Sequence, residues 1–398
     1  MEIPVSEKER IVDVDALRGL ALFGILVVNV TAFASAYYAS GAVDPAFDRA
    51  QDRLVLFATE LFFATKFYLL FSFLFGYSFT LQMQSAERSG EAFVPRLLRR
   101  QAGLWVIGLA HAVLLFHGDI LTTYAVLGVV LLMLRRQSER RMLRLAFWLI
   151  AGTVILWAAI GLLAAIDPDQ EAVIAEAAAN AQAAMLAYRG TPASVIAQHL
   201  RELSWVWVVL GLMQAPCALA MFLIGFVAGR REIFTRAEAH VGLFRRLLRV
   251  GLAVGLPGAF VFAFCSIYLE ATGWEILGLV VGLATAPFLA GAYAAGAMLA
   301  FQSPAGHRVA RALAPAGRMA LSNYLLQSLV CAFVFLAYGL RMMGEISPLA
   351  AAAFAAALFL AQLLFSRWWM GNFAYGPIEW LLRAVTIAGR PRWRRKPA

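Results

Sequence analysis

The stretch Asp13-Val-Asp-Ala-Leu-Arg-Gly-Leu-Ala-Leu-Phe-Gly-Ile-Leu-Val-Val-Asn29 opens an apolar segment that predicts the first membrane-spanning helix. Arg18 and Asn29 interrupt this segment. Eleven residues at 100° each complete about three turns, so both side chains lie on one face, roughly 16 Å apart along the axis. Because a charge or an amide that faces lipid costs free energy, we expect both to face other protein or a water-filled cavity.

The composition of the whole chain indicates a membrane protein. Its 398 residues are 62% hydrophobic and 15% charged, with a mean hydropathy of +0.74, which leaves too few polar residues to cover a soluble protein of this size. The net charge of +10 lies in short clusters between apolar runs. This arrangement is typical of the positive-inside pattern, so we expect the lipid bilayer as partner and no nucleic acid.

The apolar runs predict an all-α, polytopic helical membrane protein of about ten transmembrane helices in a single domain, residues 1–398. The predicted spans are 17–38, 61–83, 101–117, 119–134, 145–166, 205–229, 247–269, 275–300, 316–340 and 348–372. The Arg clusters at 88–100, 135–144, 230–249, 308–311 and 390–395 each follow an even-numbered span. Both termini are therefore predicted to be cytoplasmic.

Three segments outside these spans carry a prediction of their own. Residues 44–60 mix acidic and apolar side chains and favour an amphipathic helix on the outer surface, and residues 167–203 form the one sizeable outer loop. Residues 377–388 begin with Pro377 and are interpreted as a cytoplasmic surface helix, in which Glu379 is solvated or caps a helix.

Arg18 and Asn29 each have two possible roles. Arg18 either extends to the lipid headgroups or binds an anionic group, such as the phosphate of a nucleotide-bearing acyl donor, which its planar fork suits. Asn29 lies too deep to reach water, and is either a helix-packing amide or a contact to the donor's acyl group.

His111 is the only histidine embedded in a predicted span, because His117 stands at the very end of that span. Asp119 follows His111 by eight residues, in the tight turn His117-Gly-Asp. An imidazole in the membrane is a functional candidate because it exchanges protons near neutral pH, although a structural hydrogen bond is the alternative. A carboxylate beside the imidazole would orient it as the base of an acyl transfer. The sequence leaves open whether the two side chains touch.

Further polar residues are candidates for the lining of a cavity. Asn323 and Gln327 share one face of the ninth span, and Tyr324 and Ser328 share the adjacent face. Lys66 lies near the outer end of the second span, where extension to the surface is the simpler interpretation. Asp15 completes the predicted cavity set, which is Asp15, Lys66, Asn323, Tyr324 and Gln327.

Four motifs carry a family resemblance. They are Asp-x-Leu-Arg-Gly at 15–19 with Asn29, Gly-x-x-His at 108–111 with Gly-Asp-Ile-Leu at 118–121, Gly-Arg-Met-Ala-Leu-Ser-Asn-Tyr-Leu-Leu-Gln at 317–327, and Gly-Pro-Ile-Glu-Trp-Leu at 376–381. With these motifs the chain resembles the YeiB-like bacterial inner-membrane proteins, known mainly as a domain of unknown function. The resemblance implies a multi-pass protein of the bacterial inner (plasma) membrane.

The first motif is also similar to that of integral-membrane acyltransferases, including the heparan-α-glucosaminide N-acetyltransferases. That branch likewise has Asn eleven residues after the Arg, but it uses a His in the next outer segment, and residues 30–65 here contain none. The resemblance implies transfer of an acyl group, expected to be acetyl, from a cytoplasmic acyl-CoA to a cell-envelope glycan or lipid. Arg18 and Asn29 would then bind the donor, and His111 with Asp119 would be catalytic.

The alternative function is a transporter of a small polar or anionic solute that uses the same polar cavity. The sequence contains no Walker motif, no His-Glu-x-x-His and no Cys/His cluster, so an ATP-driven pump and a zinc protease are disfavoured and no metal is expected. The acceptor and the oligomeric state are left open.

Overall fold

The structure, a computed structural model, describes residues 12–38, 40, 42–88, 90, 92–167, 169–269 and 272–394. Within these ranges the chain is helical and contains no β-strand, apart from an isolated bridge between Phe373 and Arg394, so the all-α polytopic fold is confirmed. The α-helices of this part are α1 Val12–Ala34, α2 Ala50–Phe62, α3 Lys66–Arg88, α4 Phe93–Leu114, α5 Leu121–Leu134, α6 Glu139–Ala165, α7 Gln170–Gly190, α8 Pro192–Val209, α9 Ala215–Arg230, α10 Val241–Tyr268, α11 Gly273–Phe301, α12 Pro304–Arg318, α13 Ala320–Phe335, α14 Pro348–Asn372 and α15 Pro377–Ile387.

Seven segments of the described chain are long and apolar enough to cross a membrane, namely α1, α2 with α3, α6, α8 with α9, α10, α11 and α14. The pair α12–α13, bent by 76°, adds an eighth if it counts as one span. The other two predicted spans correspond to α4 and α5. Helix α5 has 14 residues, and α4 carries Arg96, Arg99 and Arg100 in its first half, so neither is a long apolar helix. The chain ends, residues 1–11 and 395–398, lie outside the described residues.

Ion pairs join connections that the charge pattern assigns to the same side of the membrane. Arg231, after α9, pairs with Glu139, at the start of α6, at 2.6 Å, and both segments are predicted to be cytoplasmic. At the opposite end, Arg189 of α7 pairs with Glu345, before α14, at 2.7 Å. Both pairs agree with the predicted sidedness, which stays a prediction.

Three predicted spans differ from the helices at their positions. The span predicted at 61–83 is interrupted between α2 and α3, where Thr65 has a φ of 67°. The span predicted at 205–229 begins within α8, which joins α9 through a π-helical segment at Leu210–Gln214. The span predicted at 316–340 breaks at Met319, and its helix ends at Phe335. The sequence did not predict these three interruptions, because a left-handed residue or an interrupted hydrogen-bond ladder leaves the apolar pattern unchanged.

Glu379 of α15 caps the first turn of α13 after this break. Its Oε1 accepts hydrogen bonds from the backbone N–H groups of Leu321 at 2.7 Å and Ser322 at 3.0 Å. Burial raises the pKa of Glu379 above its usual value, while these hydrogen bonds act in the opposite direction. The surface helix thus satisfies amide groups that the start of a helix leaves without partners.

Two glycines allow α1 to cross α12 at close range. A Cβ on Gly317 would lie 1.8 Å from the carbonyl oxygen of Asp15, and one on Gly19 would lie 2.6 Å from that of Leu313. Only glycine leaves room for such backbone contact. The crossing places the Arg18 region of α1 level with the start of α13.

Candidate active site: a buried hydrogen-bond network

His111 and Asp119 are in direct contact. The Nδ1 atom of His111 lies 2.8 Å from Oδ1 of Asp119, and both side chains have an exposed fraction of 0%. Their contact was left open by the sequence. Because a carboxylate only accepts hydrogen bonds, the Nδ1–H group of His111 donates the hydrogen bond to Oδ1 of Asp119. The other ring nitrogen, Nε2, is therefore a hydrogen-bond acceptor.

Ser328 of α13 completes the network. Its hydroxyl lies 2.8 Å from Nε2 of His111 and donates to it, since that nitrogen carries no proton in this tautomer. Ser328 is 2% exposed. The order carboxylate, imidazole, hydroxyl is the connectivity of a Ser-His-Asp triad, which is recognised by geometry and not by sequence position.

The turn between α4 and α5 positions this network. The second oxygen of Asp119 accepts a hydrogen bond from the backbone N–H of Thr122 at 2.8 Å, so the carboxylate also caps the start of α5. A Cβ on Gly108 would lie 2.6 Å from that nitrogen and 2.9 Å from Oδ2 of Asp119. Gly-x-x-His is thus explained physically, because the glycine lets α4 approach α5 one turn before the histidine.

Aromatic rings surround the imidazole. The ring centroid of Tyr324 lies 5.0 Å from that of His111, and the centroid of Phe116 lies 6.4 Å away. Phe116 stacks on Phe33 of α1 at 4.7 Å. Tyr324 and Ser328 therefore use one face of α13 for His111, as expected from their spacing, and the outer end of α1 reaches the same region.

Asn323 and Gln327 face helix α14 instead of this network. Asn323 donates through Nδ2 to Ser366 at 2.9 Å, and Gln327 donates through Nε2 to Gln362 at 2.8 Å. Both residues are nearly fully buried. Their amide oxygens have no hydrogen-bond partner in the described residues. Their arrangement joins two helices, while the two oxygens keep acceptor capacity.

Arg18 and Asn29 lie along the same helix but make different contacts. Arg18 donates to the Asp15 carboxylate and to the hydroxyl of Ser78 on α3. Asn29 is half-buried, and its amide makes no hydrogen bond to the described part of the chain. Arg18 therefore contacts protein groups, and Asn29 keeps both its donor and its acceptor available.

Arg100 of α4 joins Arg18 on the cytoplasmic half, and the sequence analysis did not single it out. Its guanidinium lies 5.5 Å from the ring centroid of Phe75 and close enough to Arg18 for the two positive charges to repel each other. The Nη1 atom of Arg100 is buried without a hydrogen-bond partner in the described residues. Two neighbouring guanidinium groups with this free donor form the arrangement that could bind the phosphate of a donor.

Lys66 belongs to a separate buried cluster. Its Nζ donates to the carbonyl oxygen of Glu60 at 2.6 Å and lies 5.1 Å from the ring centroid of Phe262, and its side chain is 0% exposed. Glu60 in turn accepts a hydrogen bond from Tyr38 at 2.6 Å. Lys66 therefore does not extend to the membrane surface, and its contacts are not with His111.

The described residues contain no group of three His, Cys, Asp or Glu side chains that could hold a metal ion. What these residues can do chemically is proton transfer at His111 and anion binding at Arg18 and Arg100. Sequence reasoning missed Arg100, and it named Ser328 as a candidate for the cavity lining without foreseeing its contact with His111. The spacing of Tyr324 and Ser328 was a signal for a shared face, but their partner is more than two hundred residues away in the chain.

Fold and site together define a multi-pass helical membrane protein with a buried Asp–His–Ser network between α4, α5 and α13. Comparison with known proteins gives the family. The chain is 31% identical over 399 residues to the uncharacterized protein YxaH of Bacillus subtilis (strain 168), covering 96% of both chains. It therefore belongs to the same family as YxaH.

Two further results agree with this assignment. The chain is 27% identical over 404 residues to the uncharacterized protein YeiB of Escherichia coli (strain K12), covering 95% of this chain and 97% of YeiB. A family described as protein of unknown function (DUF418) matches residues 228–389, which include the motifs at 317–327 and 376–381. The YeiB-like resemblance is thus confirmed. No solved structure matches the chain.

Proposed function

We propose that this protein is a transmembrane acyltransferase of the bacterial inner membrane. It moves an acyl group, expected to be acetyl, from a cytoplasmic CoA thioester to a glycan or lipid acceptor of the cell envelope. The observation that carries the proposal is the hydrogen bond between His111 and Asp119. An imidazole whose Nδ1 is fixed by a buried carboxylate presents Nε2 as a base to a hydroxyl or amine.

In this reaction His111 takes the proton of the attacking hydroxyl or amine while the new bond to the acyl carbon forms. The C–S bond of the thioester then breaks, and the proton passes from His111 to the departing thiolate. Asp119 keeps the imidazole in one tautomer and stabilises its protonated form. None of these reaction steps needs a metal ion.

The positions of the arginines support a donor that enters from the cytoplasmic side. Arg18 and Arg100 lie on the cytoplasmic halves of α1 and α4, whereas Asp119 lies at the opposite end of α4. The phosphates of a CoA thioester would bind the two guanidinium groups, with its acyl end directed towards Asn29 and His111. The resemblance of the first motif to integral-membrane acyltransferases agrees with this direction.

Binding of thioesters by purified protein tests the proposal. Wild-type protein in detergent should bind acetyl-CoA, and Arg18→Ala should weaken that binding about ten- to a hundredfold, as expected for the loss of one charge-assisted contact. Arg18→Lys should restore it only in part, because a point charge cannot replace the planar fork. Failure to bind any tested thioester, together with solute uptake into liposomes, would contradict the proposal and indicate a transporter.

A further inference from the structure

The hydroxyl that lies against the base belongs to the protein itself. Ser328 Oγ is 2.8 Å from Nε2 of His111, which is within the range at which a general base takes a proton. A serine that only packed inside a helix would be expected to bond back to a carbonyl of its own helix, as Ser72 does at 2.7 Å to Tyr68. Ser328 instead donates its hydroxyl hydrogen bond to the imidazole of His111.

We propose that Ser328 is a nucleophile that carries the acyl group as a covalent ester between donor and acceptor. This inference rests on the proposed function and adds the acyl carrier to it. In the first half-reaction the Ser328 Oγ–acyl bond forms and the thioester C–S bond breaks. The serine proton goes to Nε2 of His111 and then to the thiolate, which leaves as free CoA.

The second half-reaction reverses these roles with a different partner. The acceptor hydroxyl or amine gives its proton to His111 and forms the bond to the acyl carbon. The Ser328 ester then breaks, and Ser328 takes the proton back. All atoms and protons balance without a further reactant, and Asp119 stays ionised throughout.

The depth of Ser328 fits this role. The crossing at Gly317 places Arg18 level with the start of α13, and Ser328 lies eight residues further along, which is about 12 Å. The pantetheine arm of CoA separates its phosphates from its sulfur by a flexible chain that bridges such a distance. The ester would lie between the cytoplasmic arginines and the outer turn of Asp119, so donor and acceptor need not be present together.

A first experiment follows the donor half-reaction without acceptor. Purified protein in detergent is mixed with acetyl-CoA and quenched with acid. We expect a burst of about one free thiol per protein chain and one acetyl group on the peptide that contains Ser328, found by mass spectrometry. Ser328→Ala should lose both signals.

A second experiment is independent of the donor. A fluorophosphonate probe labels activated serines, since the Ser–O–P bond forms as fluoride leaves. The probe should label Ser328 in wild-type protein and equally in the matched control Ser72→Ala. In the wild-type protein the Ser72 hydroxyl bonds to Tyr124 at 2.6 Å and not to a histidine. Labelling should slow by about 10²–10⁴-fold in His111→Gln, which keeps a polar group but cannot act as base.

The outcomes separate this inference from the proposed function. Acyl transfer by Ser328→Ala at a rate close to that of wild type would overturn the acyl-serine and leave the acyltransferase standing with direct transfer. Probe labelling of Ser328 in a protein that neither binds nor cleaves thioesters would keep the nucleophile and contradict the CoA donor. Absence of both probe and acetyl from Ser328 in wild-type protein would overturn the inference.

Discussion

The carboxylate of Asp119 contacts the imidazole of His111 at 2.8 Å because the chain turns back on itself between α4 and α5. The two backbone N–H groups after the helix end, those of Leu115 and Phe116, both bond to the carbonyl of His111 at 2.9 Å. This pair of hydrogen bonds to one carbonyl oxygen ends the helix one turn after the histidine. The next residues then return the carboxylate to the depth of the imidazole.

Gly108→Ala tests whether close packing of α4 on α5 positions that carboxylate. The new Cβ would lie 2.9 Å from Oδ2 of Asp119 and closer still to the backbone of Thr122, so we expect destabilisation by about 1–3 kcal/mol and slower acyl transfer. Gly152→Ala is the matched control, because no atom lies within 4 Å of its added Cβ. It should leave stability unchanged or raise it by about 0.5–1 kcal/mol. Thermal unfolding in detergent measures both, and equal effects would contradict the packing argument.

Lys66→Met tests the second buried cluster. The substitution removes the ammonium group that donates to the backbone carbonyl oxygen of Glu60, so this buried acceptor loses its partner and we expect a loss of stability of about 1–3 kcal/mol. The rate of acyl transfer per folded molecule should stay near that of wild type. A Lys66→Met protein that folds normally but does not transfer the acyl group would show instead that Lys66 takes part in the reaction.

The Glu379 cap predicts a dependence of stability on pH. Burial raises the pKa of Glu379 above its usual 4.5, so its contribution to stability is complete below pH 4.5 and is lost as the pH rises through the raised value. Glu379→Gln cannot ionise and should therefore gain stability relative to wild type as the pH increases from about 4.5. Unfolding temperatures of both proteins across this range measure the difference. A difference that is constant with pH would contradict the buried, protonatable cap.

Most of the helices could be predicted because apolar runs and Arg clusters depend on the membrane alone. The interruptions could not, since they depend on local hydrogen bonds. One helix ends before Met319, and the next one begins after it with a cap from Glu379, some sixty residues later in the chain. The π-helical segment at Leu210–Gln214 is as apolar as the helices on either side of it.

The candidate site was predicted where its members are close in sequence and missed where they are not. Asp119 follows His111 by eight residues, so a tight turn was enough to suggest their proximity. Ser328 reaches the same imidazole only through the packing of α13 on α4, which a single sequence does not contain. The same limit explains why the hydrogen bond from Gln327 to Gln362 of α14 could not be predicted.

The rate of acyl transfer by His111→Gln tests the central claim most directly. Single-turnover transfer from acetyl-CoA is compared with wild type, with donor affinity and unfolding temperature measured on the same samples. If His111 is the base, the variant should fold and bind donor normally and transfer about 10²–10⁴-fold more slowly, because glutamine forms hydrogen bonds but cannot accept the proton. A His111→Gln protein that transfers at a rate close to that of wild type would remove His111 from the chemistry and contradict the account.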